Sequence, residues 1–151
     1  MSGAPHSSAS VRSCAPLWSD RIAYSDTGFS DALERCVRLV NERRALGAVV
    51  LENNRPTAYG ICAFVEEAFA DAYLDHPCPL LGKRLLRDSP PVLGPPGIAE
   101  GNTRDGLHMV VLSASYDPAS PHVAAALGLV MVSTMDVLRG YRIERILNEA
   151  I

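Results

Sequence analysis

The sequence predicts an α/β (α+β) domain with a mixed, mostly antiparallel central sheet flanked by helices, and three observations carry that expectation. Residues 107–115 form an apolar run centred on His108, Met109, Val110, Val111 and Leu112, with no polar face, as a central strand requires. Residues 48–51 and 57–65 are two β-rich runs separated by Glu52, Asn53, Asn54, Arg55 and Pro56, the pattern of a hairpin. Three- and four-residue apolar spacing appears before the hairpin and again after the apolar run, which marks helices on either side. The 151 residues are 48% hydrophobic and 21% charged, enough apolar side chain for a core and too little charge for a disordered chain.

In chain order, residues 1–10 are small and polar and are expected to form a disordered tail, with a single domain over residues 11–151. Residues 11–18 make a short first strand. Ser30 and Asp31 are helix-start residues behind the apolar Phe29, and Leu33, Cys36, Val37 and Val40 then repeat at helical steps. Gly47, just after Arg43 and Arg44, is the expected stop. In the hairpin, Asn53 and Asn54 tolerate positive φ, and Pro56 has no N–H for a ladder. Glu66, Glu67, Asp71 and Asp75 then alternate with Phe69 and Tyr73, which reads as an acidic amphipathic helix or as an extension of the strand into a loop covering the core.

Six prolines between Pro77 and Pro96, with Gly94 and Gly97, make a long connection, with a short helix over residues 80–87 and a rigid lid or spacer around Gly94 and Gly97. After the apolar strand, Ser120 and Pro121 read as N-cap and first helical residue of a helix that ends before Gly140. That helix, residues 122–139, is apolar on nearly every side and is expected to be buried or to form a homodimer. Residues 141–151 fit a helical template and, at Tyr141, Ile143 and Arg145, a strand template. The pattern is cut off at Ile151, which implies a longer parent protein of which this is the N-terminal part.

Several function classes are excluded. The net charge of −3 opposes a nucleic-acid surface, which needs a basic excess. Lys83 is the only lysine, so Schiff-base chemistry has one candidate. The four cysteines lack a CxxC pair, the N-terminus lacks a signal-peptide order, and the most apolar window is too short to cross a bilayer and holds Asp136. A cytoplasmic protein with structural thiols is expected. His76 and Cys78 have no second ligand pair at zinc spacing, so no metal is expected. Ser113, Ser115, Asp117 and His122 cluster in sequence without a Gly-x-Ser-x-Gly elbow, and capping and turn formation account for Asp117 and Ser120. His108 is expected as a satisfied core histidine. Arg139, Arg142 and Arg145 are a candidate anion site, although Glu144 and Glu149 suggest local pairing instead.

The order strand, helix, hairpin, long insertion, central strand, helix and last amphipathic element resembles the acyl-CoA N-acyltransferase (GNAT) family. So does the local text: Phe64, Val65 and Phe69; Pro77, Cys78, Pro79, Leu85 and Leu86; Gly106 through Leu112; Arg139 through Glu149. The variant it is similar to is a degenerate domain of the kind found ahead of helix-turn-helix segments in some bacterial regulators. The resemblance spans roughly residues 11–151. It implies a strand after Gly140, Glu66 or Glu67 as the nearest equivalents of the amine-deprotonating glutamate, and cofactor contacts at Leu112, Ser113, Ser115 and His122. In the family a glycine-rich loop after the central strand holds the coenzyme diphosphate on main-chain amides. Residues 116–122 here contain no glycine, Pro118 and Pro121 lack N–H donors, and Asp117 adds negative charge. The expectation is therefore a non-catalytic domain that senses a small ligand or mediates dimerisation and regulation, without a cofactor. The alternative is an N-acyltransferase moving an acyl group from acyl-CoA to an amine.

Overall fold

The computed structural model describes residues 2–5, 12–14, 26–75 and 91–148. Its elements are β1 (Ser2–Pro5), α1 (Asp26–Asn41), β2 (Ala45–Glu52), β3 (Arg55–Val65), α2 (Glu67–Asp75), α3 (Pro95–Thr103), β4 (Leu107–Tyr116), α4 (Val123–Leu138) and β5 (Ile143–Leu147). They build one five-stranded sheet in the order β1-β2-β3-β4-β5. The first three pairings are antiparallel, and β4 pairs with β5 in parallel. A parallel neighbour needs a crossover, and α4 supplies it. The α+β class with a mixed, mostly antiparallel sheet is what the sequence predicts.

The hairpin is as expected. Glu52 pairs with Arg55, and Asn53 and Asn54 between them take φ of 50° and 63°, the left-handed geometry a two-residue turn requires. Apolar residues then sort by the two-residue period onto two faces. On one face Cys36, Val37 and Leu39 of α1 and Ala70 of α2 cover Val49, Tyr59, Ile61, Val110 and Leu112. On the other, Ile98 of α3 and Leu138 of α4 cover Cys62, Phe64, Leu107 and Met109. Further along α4, Ala126 and Val130 pack on Val50 and Ala58. Gly60 permits this approach, since a Cβ there would stand 3.3 Å from Val130 Cγ1.

Several expectations are corrected. Within the expected tail, Ser2–Pro5 is a strand paired with residues 48–51 of β2. In the expected first strand, Arg12 and Ser13 are helical, and residues 15–18 lie outside the described residues. Helix α1 starts four residues before Ser30, and Gly47 does not end it. Arg43 takes positive φ (56°) and the Arg44 N–H bonds the Leu39 carbonyl at 2.8 Å, so the chain has already turned into β2 when it reaches Gly47. The short helix expected at 80–87 lies outside the described residues. The spacer expected around Gly94 and Gly97 is the start of α3, with Gly94 at its N-cap and proline in its first turn, where the missing N–H costs nothing. Residues 143–147 are a strand, so the pairing partner on β4 overrides the helical count.

Helix α4 differs most from its sequence reading. Its cap residue is His122 rather than Ser120. It buries only Ala126, Val130 and Leu138 and leaves Met131, Val132 and Met135 at 62–70% exposure. No helix among the described residues is long and apolar enough to cross a membrane.

Candidate functional site

Strand β5 pairs only with residues 107–110 of β4, while β3 pairs with β4 as far as Tyr116. Over residues 111–114, the main-chain groups of β4 that point away from β3 therefore have no strand partner among the described residues. At the same place the β3–β4 register slips: Ile61 pairs with Ser113 and Cys62 with Val111, which leaves Leu112 as a bulge. A bulge re-aims the strand, so the sheet divides into a closed half at residues 107–110 and an open edge over residues 111–116.

The predicted cofactor positions gather there in part. Leu112, Ser113 and Ser115 all lie on the open half, and all three are buried. The Ser113 and Tyr59 hydroxyls are hydrogen-bonded at 2.8 Å, so Ser113 is a strand-locking group rather than a nucleophile. Removing the phenol with Tyr59→Phe leaves the buried Ser113 hydroxyl without this partner. It is expected to cost about 1–3 kcal/mol in urea unfolding, with an unchanged m-value.

His122 stands at the far end of the site, exposed, at the N-terminus of α4. The turn leading to it is saturated. The Asp117 N–H bonds the Thr57 carbonyl at 2.7 Å, and the Ser120 N–H bonds the Asp117 carbonyl at 3.2 Å. The Ala119 N–H bonds Asp117 Oδ1 at 2.9 Å, and the His122 N–H bonds Ser120 Oγ at 3.2 Å. Pro118 and Pro121 have no N–H. Every amide from 117 to 122 is thus either absent or already used. Over this turn sits Glu52, from the end of β2. One carboxylate oxygen accepts the Ser120 hydroxyl at 3.2 Å, and the other lies 3.6 Å from His122 Nε2. A fixed carboxylate therefore occupies the positive end of α4. Sequence reading identified the prolines and Asp117 but missed Glu52, because the contact joins residues 68 positions apart.

Glu66 and Glu67, the predicted base candidates, lie elsewhere. They sit exposed at the end of β3 and the start of α2, opposite the first residues of β4. They border a cavity of about 270 Å³ together with His108. His108 precedes Leu112 by four residues, about 13 Å of strand. Proton transfer needs hydrogen-bond distance, so from this position neither glutamate reaches a group held at the bulge directly. His108 is buried as expected, but its Nδ1 has no hydrogen-bond partner, which corrects the reading of a satisfied core histidine.

Other side chains hold structure. Arg145 bonds Asp71 across from β5 to α2, and this contact raises its pKa; Glu149, its expected partner, lies outside the described residues. Arg139 pairs with Asp136 at 2.6 Å, and Arg142 donates to the Arg104 carbonyl at 3.0 Å. Cys14, Cys36 and Cys62 are free and buried, and burial pushes each thiol up to about 12. None of the three is a thiolate nucleophile at neutral pH. Cys78 and His76 lie outside the described residues. Among the described residues no group of three or more His, Cys, Asp or Glu side chains is placed to hold a metal.

No family model and no curated sequence matches the chain. Solved structures do. A predicted acetyltransferase with acetyl-CoA from Clostridium acetobutylicum aligns with a TM-score of 0.60 at 10% identity, over 98% of this chain and 79% of that one. The aminoglycoside 6′-N-acetyltransferase of Acinetobacter haemolyticus aligns at 0.56 and 13%, over 99% and 79%. The ribosomal-protein-alanine N-acetyltransferase of Brucella melitensis aligns at 0.55 and 11%, again over 99% and 79%. At these identities the likeness is one of fold: the chain has the GNAT-like architecture across nearly its whole length.

Proposed function

We propose that the protein is an acyl-CoA-dependent N-acyltransferase that acts on an amine, with the acyl donor held along the open edge of β4. The observation that carries this reading is the parting of β5 from β4 at a bulge, within a fold shared with N-acetyltransferases. The amides of a pantetheine arm match the main-chain groups of residues 111–114 that face away from β3, as an added strand would. Bound there, acyl-CoA would supply a thioester carbonyl to which the amine nitrogen bonds as the C–S bond breaks, with the coenzyme leaving as its thiol. The open edge itself, residues 111–116, carries hydroxyls but no carboxylate, so the amine must arrive neutral or lose its proton to a group outside that stretch.

The residues fit the pantetheine arm better than the diphosphate, which would meet Asp117, Glu52 and a turn with no free amide between residues 117 and 122. Acetyl-CoA and S-acetylpantetheine are therefore expected to bind within about tenfold of one another by calorimetry, a gap of about 1.4 kcal/mol or less. A thousandfold preference for acetyl-CoA would show that the turn does hold the diphosphate. Glu52→Gln removes the charge over α4 and is expected to raise acetyl-CoA affinity by a few-fold to tenfold, without changing that of S-acetylpantetheine.

The saturated turn also favours a second reading, a ligand-sensing domain without catalysis. No acetyl-CoA binding at millimolar concentration would remove the transferase reading and leave this one. A second copy of the chain is the partner we propose for the face formed by Met131, Val132 and Met135. This face shares a groove with Ile143 of β5, an edge strand of the sheet, and Asp136 and Arg139 give its rim opposite charges that match across a two-fold axis. Light scattering is expected to report a dimer that Met131→Glu with Met135→Glu converts to a monomer.

A further inference from the structure

Two of the buried thiols belong to one cluster. Cys14 and Cys36 are both fully enclosed and share the apolar core that holds Val37, Leu39, Val49 and Tyr59. Their segments are clamped at the surface by one ion pair: the Arg12 guanidinium donates to both oxygens of the Glu34 carboxylate, at 2.5 and 3.1 Å. The two pairs are in step, since 22 positions separate Arg12 from Glu34 and likewise Cys14 from Cys36. Residues 12 and 13 are helical, as is α1, and a step of two residues turns a helix by about 200°, onto its other side. An outward pair at 12 and 34 therefore sends residues 14 and 36 inward to the same core. Burial, and after it the nearness of the Cys14 sulfur, push the Cys36 thiol up to about 12.

Cys62 is no partner for either: it lies on the opposite face of the sheet, where its thiol donates to the Leu46 carbonyl at 3.3 Å. Among the described residues no third histidine, cysteine or carboxylate joins Cys14 and Cys36 as a metal site would require. Enclosed and protonated, both thiols are inert toward a passing oxidant. The cover over Cys14 is slight, however. Arg12 and Ser13 are exposed, and an ion pair with both side chains half in solvent adds little to hold them down. Lifting residues 12–14 exposes Cys14 and thins the cover of Cys36.

We propose that Cys14 and Cys36 form a redox site: a small-molecule disulfide of the glutathione class converts the two thiols to an intrachain disulfide that fastens residues 12–14 to α1. As the segment lifts, the Cys14 thiol gives its proton to solvent and its sulfur attacks the small disulfide. A mixed disulfide forms and one small thiol leaves. The Cys36 sulfur, deprotonated in turn, attacks the Cys14 sulfur and displaces the second small thiol. Two protein thiols are oxidised, and one small disulfide is reduced to two thiols. The site does not depend on acyl-CoA binding.

The test uses the full chain with Cys78→Ser, incubated with oxidised glutathione under native conditions, blocked with N-ethylmaleimide and mapped by mass spectrometry, with the unsubstituted chain in parallel. The expected product is lighter by two hydrogens and gives a peptide joining Cys14 to Cys36, while Cys62 takes up maleimide only after denaturation. Because the cross-link restricts the unfolded chain, the thermal midpoint is expected to rise by about 5–10 °C and to fall back with dithiothreitol. Cys14→Ala and Cys36→Ala, each of which keeps the core apolar, are expected to abolish the cross-link and the rise while leaving the circular dichroism spectrum unchanged. The proposal is overturned if native incubation gives no cross-link, if glutathione stays attached as the mixed disulfide, or if the linked peptide contains Cys62 or, in the unsubstituted chain, Cys78.

Discussion

Gly47→Ala is expected to lower the unfolding free energy by more than about 3 kcal/mol, and Gly47→Val to prevent folding at ambient temperature. Gly47 sits within β2 opposite Ile61. A Cβ there would lie 2.0 Å from the Gly60 carbonyl oxygen and 2.8 Å from Ile61 Cα. Both obstacles are main chain of the paired strand, so no rotamer change relieves the overlap. Relief requires β2 and β3 to separate, which breaks ladder hydrogen bonds beneath α1 and α4 at once. Urea unfolding followed by circular dichroism measures this, and a loss under about 1 kcal/mol would mean that the two strands part locally at little cost.

Phe64→Ala is expected to cost about 3–5 kcal/mol and also to loosen β5. Phe64 is fully buried on β3, packed with Ile98, Leu107, Met109 and Leu138, and its ring meets that of Tyr141 at 5.2 Å in a tilted contact. Tyr141 leads directly into β5, which has few other anchors: Ile146 is exposed, and only Leu147 of the strand is buried. The variant should therefore show faster amide exchange in residues 143–147 than in β2 and β3, where the ladder is intact on both sides. Uniform acceleration across the sheet would instead mean that β5 opens only with the whole domain.

Local chemistry made much of this legible from sequence. Asn53 and Asn54 announced their turn through backbone tolerance, and residues 107–112 announced a central strand through apolarity on both faces. Gly47 misled because a glycine after two arginines imitates a helix stop. The constraint at that position is the closeness of Gly60 on another strand, which one segment cannot encode. The same division runs through the candidate site. Pro118, Pro121 and Asp117 could be read directly, whereas the seat of Glu52 over α4 and the empty side of His108 arise from chain segments brought together by the sheet. The apolar composition of α4 announced a helix buried or paired with a partner, but not which of its residues, Met131, Val132 and Met135, would face outward.

The three buried thiols carry a practical consequence. Cys36 lies on the sheet-facing side of α1 and Cys62 on the opposite face of the sheet, each shielded and held protonated. Alkylation at either position has to wait for the covering layer to lift. Pulsed labelling with iodoacetamide and mass spectrometry would then time two openings within one molecule, and the ratio of the two rates would reveal whether the layers come off separately or together.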